Sequence, residues 1–228
     1  MQLSPRYGAD PLLTMDGAPG DIAAPAIRQR KRLAATVAAF TDEQWAQPSR
    51  CEGWSNRDVI VHLDSTNSFW AFAISAGVQG APTQFLATFD PVASPAQLVT
   101  GAGERSIHEV LTSFVASTDA LVELWESLDD GGWSSTAEAR PGHVSVSTVT
   151  HHALWDSWVH ERDILLPLGI AAAERRTRSS PAFVTPLRSV QPWRPTMAPA
   201  GADNWASTPR TRASRPSSTL PTLSMLVT

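Results

Sequence analysis

The sequence predicts an all-α fold: a bundle of four helices followed by an irregular or disordered tail. Three observations carry this reading. Apolar residues recur at helical spacing in four separate stretches, a Ser-x-x-Asp capping pattern opens one of them, and β-branched runs long enough for strands are scarce. The expected organisation is an arm over residues 1–20, the bundle over 21–172, and a tail over 173–228.

Ala24 to Phe40 reads as the first helix, with Ile27, Leu33, Val37 and Phe40 on its apolar side. Its Arg28-Gln-Arg-Lys-Arg32 run has the look of a nucleic-acid patch. A solvated face fits better, because residues 1–173 hold 10 basic and 20 acidic side chains, a net of −10 that repels phosphate. No nucleic-acid partner is therefore expected. The second helix begins at Ser55, whose hydroxyl and the Asp58 carboxylate can satisfy free amides, and runs to about Ser75, before Gly77. On it His62 shares a face with Val59, Phe69, Trp70 and Ala73, so the imidazole projects from the apolar side.

Gly80, Pro82, Pro91 and Pro95 then mark a connecting loop. The third helix is expected over Glu104 to Leu128, burying Ile107, Leu111, Phe114, Val115, Leu121, Leu124 and Trp125 and leaving His108 exposed. After Asp129-Asp-Gly-Gly132 comes a short irregular or extended piece through Val146. The fourth helix follows from about Ser147 to Leu166, stopped by Pro167 and Gly169.

The chemistry concentrates on that last helix. In His152-Ala-Leu-Trp-Asp156-Ser-Trp-Val-His160 two histidines and a carboxylate recur every four residues, which is about one turn, so neighbouring side chains stand roughly 6 Å apart. Asp163 falls in the same arc. Trp155 and Val159 flank the arc on one side and Ala153 and Ile164 on the other, so the polar stripe is expected to point into the core. A buried carboxylate among imidazoles costs several kcal/mol unless a cation or a complete hydrogen-bond network meets it. With His62 from another helix, three nitrogen or oxygen ligands are available, a set that suits Zn²⁺ with an open fourth position. Two triads are possible: His62, Asp156 and His160, or His62, His152 and Asp156. His152 and His160 lie two turns apart, about 12 Å, too far to share one ion.

Composition bounds the rest. With 228 residues and 42% hydrophobic content the chain can bury one domain-sized core. The single cysteine, Cys51, excludes an intramolecular disulfide and suits a reducing cytoplasm; it reads better as a small buried hydrophobe beside Trp54 than as a reactive thiol. The first twenty residues lack a signal-peptide pattern and no apolar run reaches membrane-span length, so a cytoplasmic protein without a membrane partner is expected. Residues 174–228 hold eight arginines against two acids and eight prolines without periodicity. They read as a disordered tail, or as out-of-frame codons that replace a native C-terminus.

Two motifs carry a family resemblance. The run Trp45-Ala-Gln-Pro-Ser-Arg-Cys51-Glu-Gly-Trp54-Ser-Asn-Arg-Asp58-Val-Ile-Val-His62-Leu resembles the N-terminal signature of the mycothiol-dependent maleylpyruvate isomerase family, and Val159-His160-Glu161-Arg162-Asp163-Ile164 resembles its last-helix motif. The likeness spans roughly residues 20 to 170. It implies a DinB-like metal-binding four-helix bundle, with a ligand histidine on the second helix at His62 and a Glu-x3-His pair on the fourth. The histidine of that pair falls on His160. The glutamate position holds Asp156, one methylene shorter, which asks the fourth helix to approach the metal more closely.

The resemblance further implies a zinc-dependent thiol enzyme that uses mycothiol or a similar low-molecular-weight thiol on a small-molecule electrophile. In such an isomerase the thiolate adds to the double bond of a cis-enoate, the new single bond rotates, and the thiolate leaves; in an S-transferase it stays. Arg57 or Arg162 could clamp a substrate carboxylate, although a surface or helix-end role suits each better. His152 could orient a ligand from behind. The competing readings are a non-catalytic metal-binding regulatory bundle or degenerate family copy, and a purely structural bundle whose His and Asp side chains pair with one another. The sequence sets no oligomeric state.

Overall fold

The computed structural model describes residues 5–90 and 93–172. Its frame is four long helices, α1 (Ala23–Val37), α3 (Asn56–Val78), α5 (Ile107–Ser127) and α7 (Val146–Leu165), with short α2 (Asp42–Ala46), α4 (Ala93–Gly101) and α6 (Asp130–Ser134) in the connections. α1 packs on α5 and α7, and α3 packs on the same two, so α1 stands opposite α3 around the core. The segment read as a Pro/Arg-rich tail lies outside the described residues.

Capping explains where the helices begin. Ser55 accepts from the Asp58 amide while the Asp58 carboxylate accepts from the Ser55 amide, and Ser106 and Glu109 repeat the arrangement at α5. Ser145 caps α7 through the Thr148 amide. α3 runs past the expected stop, through Gly77 to Val78. Gly77 is there because a Cβ would meet the Thr136 carbonyl oxygen head-on, and the absent side chain lets the strand lie against the helix.

Two connections differ from the sequence reading. The stretch expected as a loop holds a 3-10 turn at Phe85–Thr88 and the nine-residue α4. Pro95 does not forbid that helix, because it sits in the first turn, where its missing N–H is not needed. The piece before α7 is an antiparallel hairpin of β1 (Thr136–Ala139) and β2 (Gly142–Ser145), with Glu138 opposite His143.

The N-terminal arm is tied to that hairpin: the Arg6 amide donates to Pro141 O, the His143 amide to Arg6 O, and the Leu12 amide to His143 O. Glu138 is the anchor. Fully buried, its carboxylate accepts from the Tyr7 hydroxyl (2.8 Å), the Thr83 hydroxyl (2.7 Å) and the Phe85 and Leu86 amides (both 2.8 Å). Burial, reinforced by the hydrogen bond to Glu138 and its charge, raises the Tyr7 phenol, so the hydroxyl stays a donor.

The apolar core is in two parts. One lies near the hairpin, with Trp70, Ile74, Leu121, Trp125, Val149 and Ala153; the other gathers Leu33, Val37, Val59, Leu63, Phe114 and Ile164. Between them each long helix contributes buried polar residues: Gln29 and Arg30 from α1, Asn67 from α3, Thr118 from α5 and Ser157 from α7. Asn67 Nδ2 donates to Thr118 Oγ1 at 3.1 Å, Gln29 Nε2 to Ser157 O at 3.2 Å, and Arg30 Nη2 to Ala153 O at 3.0 Å. This corrects the solvated-face reading of the Arg28–Arg32 run: Arg28 and Lys31 are exposed, but Gln29 and Arg30 are interior. Arg32 pairs bidentately with buried Glu161, at 2.9 and 2.7 Å.

Candidate metal centre

His62 lies two turns into α3, whose start is pinned by the Ser55 cap, and Asp156 and His160 follow one turn apart on α7. One donor atom from each of His62, Asp156 and His160 can be chosen so that all lie within 4.8 Å of one another. The His62 and His160 rings meet edge to face with centroids 5.0 Å apart, and His160 Nε2 stands 3.7 Å from Asp156 Oδ1. Ligands at about 2.1 Å around a tetrahedral ion are separated by about 3.4 Å, so a small contraction brings the set onto one cation. The shorter Asp156 side chain thus still reaches the cluster.

Two atoms of this cluster lack partners. His62 Nδ1 and Asp156 Oδ2 are buried with no hydrogen bond. Each such atom costs about 1–3 kcal/mol, a cost that a bound cation would offset. Burial pushes the His62 imidazole down to about 4; the Asp156 charge opposes this and neighbouring His160 adds to it. The ring is neutral at pH 7 and offers a lone pair without first losing a proton.

A stability prediction follows from the same burial. The ordinary histidine value is 6.5, so between pH 6.5 and about 4 the unfolded chain takes up a proton at His62 that the native chain refuses. The metal-free protein is expected to lose stability as pH falls through that window, and His62→Gln to lose less. Denaturant titrations in chelator at pH 7 and 4.5 measure the difference; equal slopes for both proteins would contradict the burial of a neutral ring.

The polar stripe faces inward as the sequence suggested, but it lies at the edge of the core and not in its middle. Ala153 and Ile164 are fully buried on one side, but Trp155 on the other is 56% exposed. Asp156 and His160 stand at that edge, with side chains 18% and 17% exposed. His152 belongs to neither group of converging donors among the described residues, so the triad of His62, His152 and Asp156 does not assemble. Its ring lies against Trp70, centroids 5.2 Å apart, and burial lowers its proton affinity while the Asp156 charge raises it.

The loop before α3 forms the second wall. Ser49 N and Oγ both donate to Trp54 O at 2.9 Å, Cys51 N donates to Ser49 Oγ at 3.1 Å, and Gly53 takes a positive φ of 77° to close the turn. The turn brings the Trp54 ring to 5.4 Å from His62 and the Cys51 sulfur to 3.6 Å from His160 Nδ1. Cys51 is half-buried and packs with Trp54 against the apolar core, as the sequence suggested, and it also stands beside His160, a placement its isolated position in the sequence did not signal. Burial, then the charge and hydrogen bond of Asp163, push its thiol up to about 11, against the Ser49 hydroxyl, which lowers it. At neutral pH it stays protonated, a poor nucleophile.

Neither arginine stands as a carboxylate clamp. Arg57 Nη2 donates to Gly103 O and Arg105 O at 2.9 and 2.7 Å, while Arg162 stacks its guanidinium 3.5 Å from the Trp158 ring centroid and donates to Trp158 O. Two surface clefts, one along α3, α5 and α6 and one between α3 and α4, contain none of the three donors.

The mycothiol maleylpyruvate isomerase N-terminal domain family matches residues 27–165, more than half of the chain. The chain belongs to that family. Among solved structures it is similar to the mycothiol-dependent maleylpyruvate isomerase, with TM-score 0.57 at 14% identity over 67% of this chain and 63% of that one. A histidine-to-alanine variant of a mycothiol-dependent maleylpyruvate isomerase matches with TM-score 0.59 at 14% identity, over 71% and 65%. At this identity the likeness is one of fold, and the chain spans less than two thirds of either structure. No curated protein sequence matches the chain. The donor chemistry at His62, Asp156 and His160, together with the two unpartnered buried atoms, fits a divalent ion of zinc type. No helix among the described residues is long and apolar enough to cross a membrane.

Proposed function

We propose that this family member is a zinc-dependent thiol enzyme that isomerises a small cis-enoate of the maleylpyruvate type with mycothiol or a related low-molecular-weight thiol. The observation that carries the reading is the convergence of two imidazoles and one carboxylate from α3 and α7, with buried unpartnered atoms on His62 and Asp156. His62, Asp156 and His160 would hold the ion, and when bound it supplies a thiolate at neutral pH by lowering the proton affinity of a coordinated thiol.

This chain's own residues do the rest. Two imidazole ligands and one carboxylate would leave a bound Zn²⁺ with net charge near +1, which would favour an anionic sulfur over a neutral competitor. Arg30, buried behind the site, adds a fixed cation: burial lowers its guanidinium to about 10 and the Asp156 charge raises it, so it is charged at pH 7. That field favours a carboxylate-bearing substrate. His152, one turn before Asp156 on α7 and within reach of its charge, would help to set the direction of the Asp156 carboxylate. The Trp54 ring, tilted 5.4 Å from His62, would help to exclude water from the site.

An assay of the full chain with maleylpyruvate and mycothiol tests the proposal. Turnover is expected only when both thiol and zinc are present. Metal-independent turnover would remove the zinc from the mechanism. A metal-loaded protein without thiol-dependent turnover would favour the non-catalytic metal-binding reading, which a cytoplasmic regulatory bundle would satisfy.

A further inference from the structure

His160 carries two faces, and the structure treats them differently. Its Nε2 stands 3.7 Å from Asp156 Oδ1, and His62 completes that group of converging donors. Its Nδ1 looks the other way, to Asp163 Oδ2 at 3.2 Å, with the Cys51 sulfur at 3.6 Å. Cys51, His160 and Asp163 therefore form a second group of possible metal donors, built on the opposite nitrogen of the same ring. An imidazole that binds an ion through one nitrogen carries a proton on the other, and that proton needs an acceptor.

We propose that Asp163 is the positioning residue of the centre: it accepts the Nδ1 proton of His160 and so aims the Nε2 lone pair at the ion held with His62 and Asp156. This rests on the metal reading above and deepens it. Asp163 is itself fixed. Cys51 Sγ donates to the same Oδ2 at 3.4 Å, and the Arg50 amide donates to the Asp163 carbonyl at 3.0 Å, which fastens the Cys51 turn to the end of α7. Asp163 lies three residues after His160 on the same helix face, so α7 holds carboxylate and ring in register. The turn is then a brace for a ligand, and the second donor group is the support of the first rather than a rival site. Outer partners of this kind set the tautomer and basicity of ligating histidines.

Zinc affinities of the full chain, measured by competition with a chromophoric chelator, test this alongside thermal melts. Asp163→Asn and Asp163→Ala are each expected to weaken zinc binding about 10–100-fold, with one ion still bound at saturation and the metal-free melting temperature little changed. Cys51→Ala should weaken it less than either. In the zinc-loaded parent, the His160 Nδ1–H proton should give a downfield NMR resonance that moves upfield in Asp163→Ala. Unaltered affinity and an unshifted resonance in both Asp163 variants would overturn the assignment of Asp163 while leaving the metal reading intact. Cys51→Ala losing zinc as deeply as His62→Ala would overturn it differently, by putting the ion on the Nδ1 side. A parent that binds no zinc, or a His62→Ala protein that binds it as tightly as the parent, would sink the metal reading and this inference together.

Discussion

His62→Ala is expected to leave a folded bundle that binds zinc roughly 10²–10³-fold more weakly than the parent. Structural zinc sites with four ligands bind with about 10–16 kcal/mol, so one ligand is worth roughly 3–4 kcal/mol, which converts to that range. Stability of the metal-free protein should suffer little, because the ring removed carries an unpartnered buried nitrogen that offsets part of the cost of truncating a side chain only 9% exposed. Its loss leaves some empty space but also relieves a desolvated polar atom. Chelator competition and circular-dichroism melts on the same preparations separate the two quantities. Parallel losses of affinity and stability would mean that His62 acts as packing, and an unchanged affinity would remove it from the ligand set.

Glu138→Ala should do the opposite, lowering stability by about 3–5 kcal/mol with little direct effect on the metal ligands. The carboxylate accepts from four donors, two of them backbone amides, in an interior that water does not reach. Alanine leaves those donors orphaned, and breaking a buried charged network is among the few single changes that cost this much. Glu138→Gln should recover only part of the loss, because its amide nitrogen would face hydrogen-bond donors. Denaturant midpoints for Glu138→Ala and Tyr7→Phe measure the effect. Tyr7→Phe removes one donor of the four, so about 1 kcal/mol is expected; equal costs for the two would show that the four bonds stand or fall together and would contradict this bond-by-bond estimate.

Much of this architecture is legible in the residues. Ser55 with Asp58 marks the start of α3, and the apolar stripe containing Phe114, Leu121 and Trp125 marks α5, because capping and helical periodicity are local effects. The four-residue spacing of Asp156 and His160 and the apolar neighbours of His62 pointed to three donors that the fold brings within 4.8 Å of one another, since each signal is read along a single helix. What escaped needed the third dimension. Nothing in Gln29 or Arg30 distinguishes them from solvated neighbours until α7 lies beside them and offers the Ser157 and Ala153 carbonyls. Trp155 looked like a core residue on hydrophobicity, but its angle on α7 turns it outward. Pro95 looked like a breaker because position within a turn, not residue type, decides whether proline is tolerated. The place of Cys51 against His160 depends on a turn closed by Gly53 and reaches across more than a hundred residues of chain.

X-ray absorption at the zinc edge of the full chain, loaded with one equivalent of metal in the absence of added thiol, probes the shared site most directly. A first shell of nitrogen and oxygen alone, at about 2.0–2.1 Å, is expected from His62, Asp156 and His160, with one sulfur appearing at about 2.3 Å when mycothiol is added. A sulfur already present without added thiol would place Cys51 on the metal and contradict the proposed ligand set. So would a protein that releases its zinc to dialysis as readily as His62→Ala does.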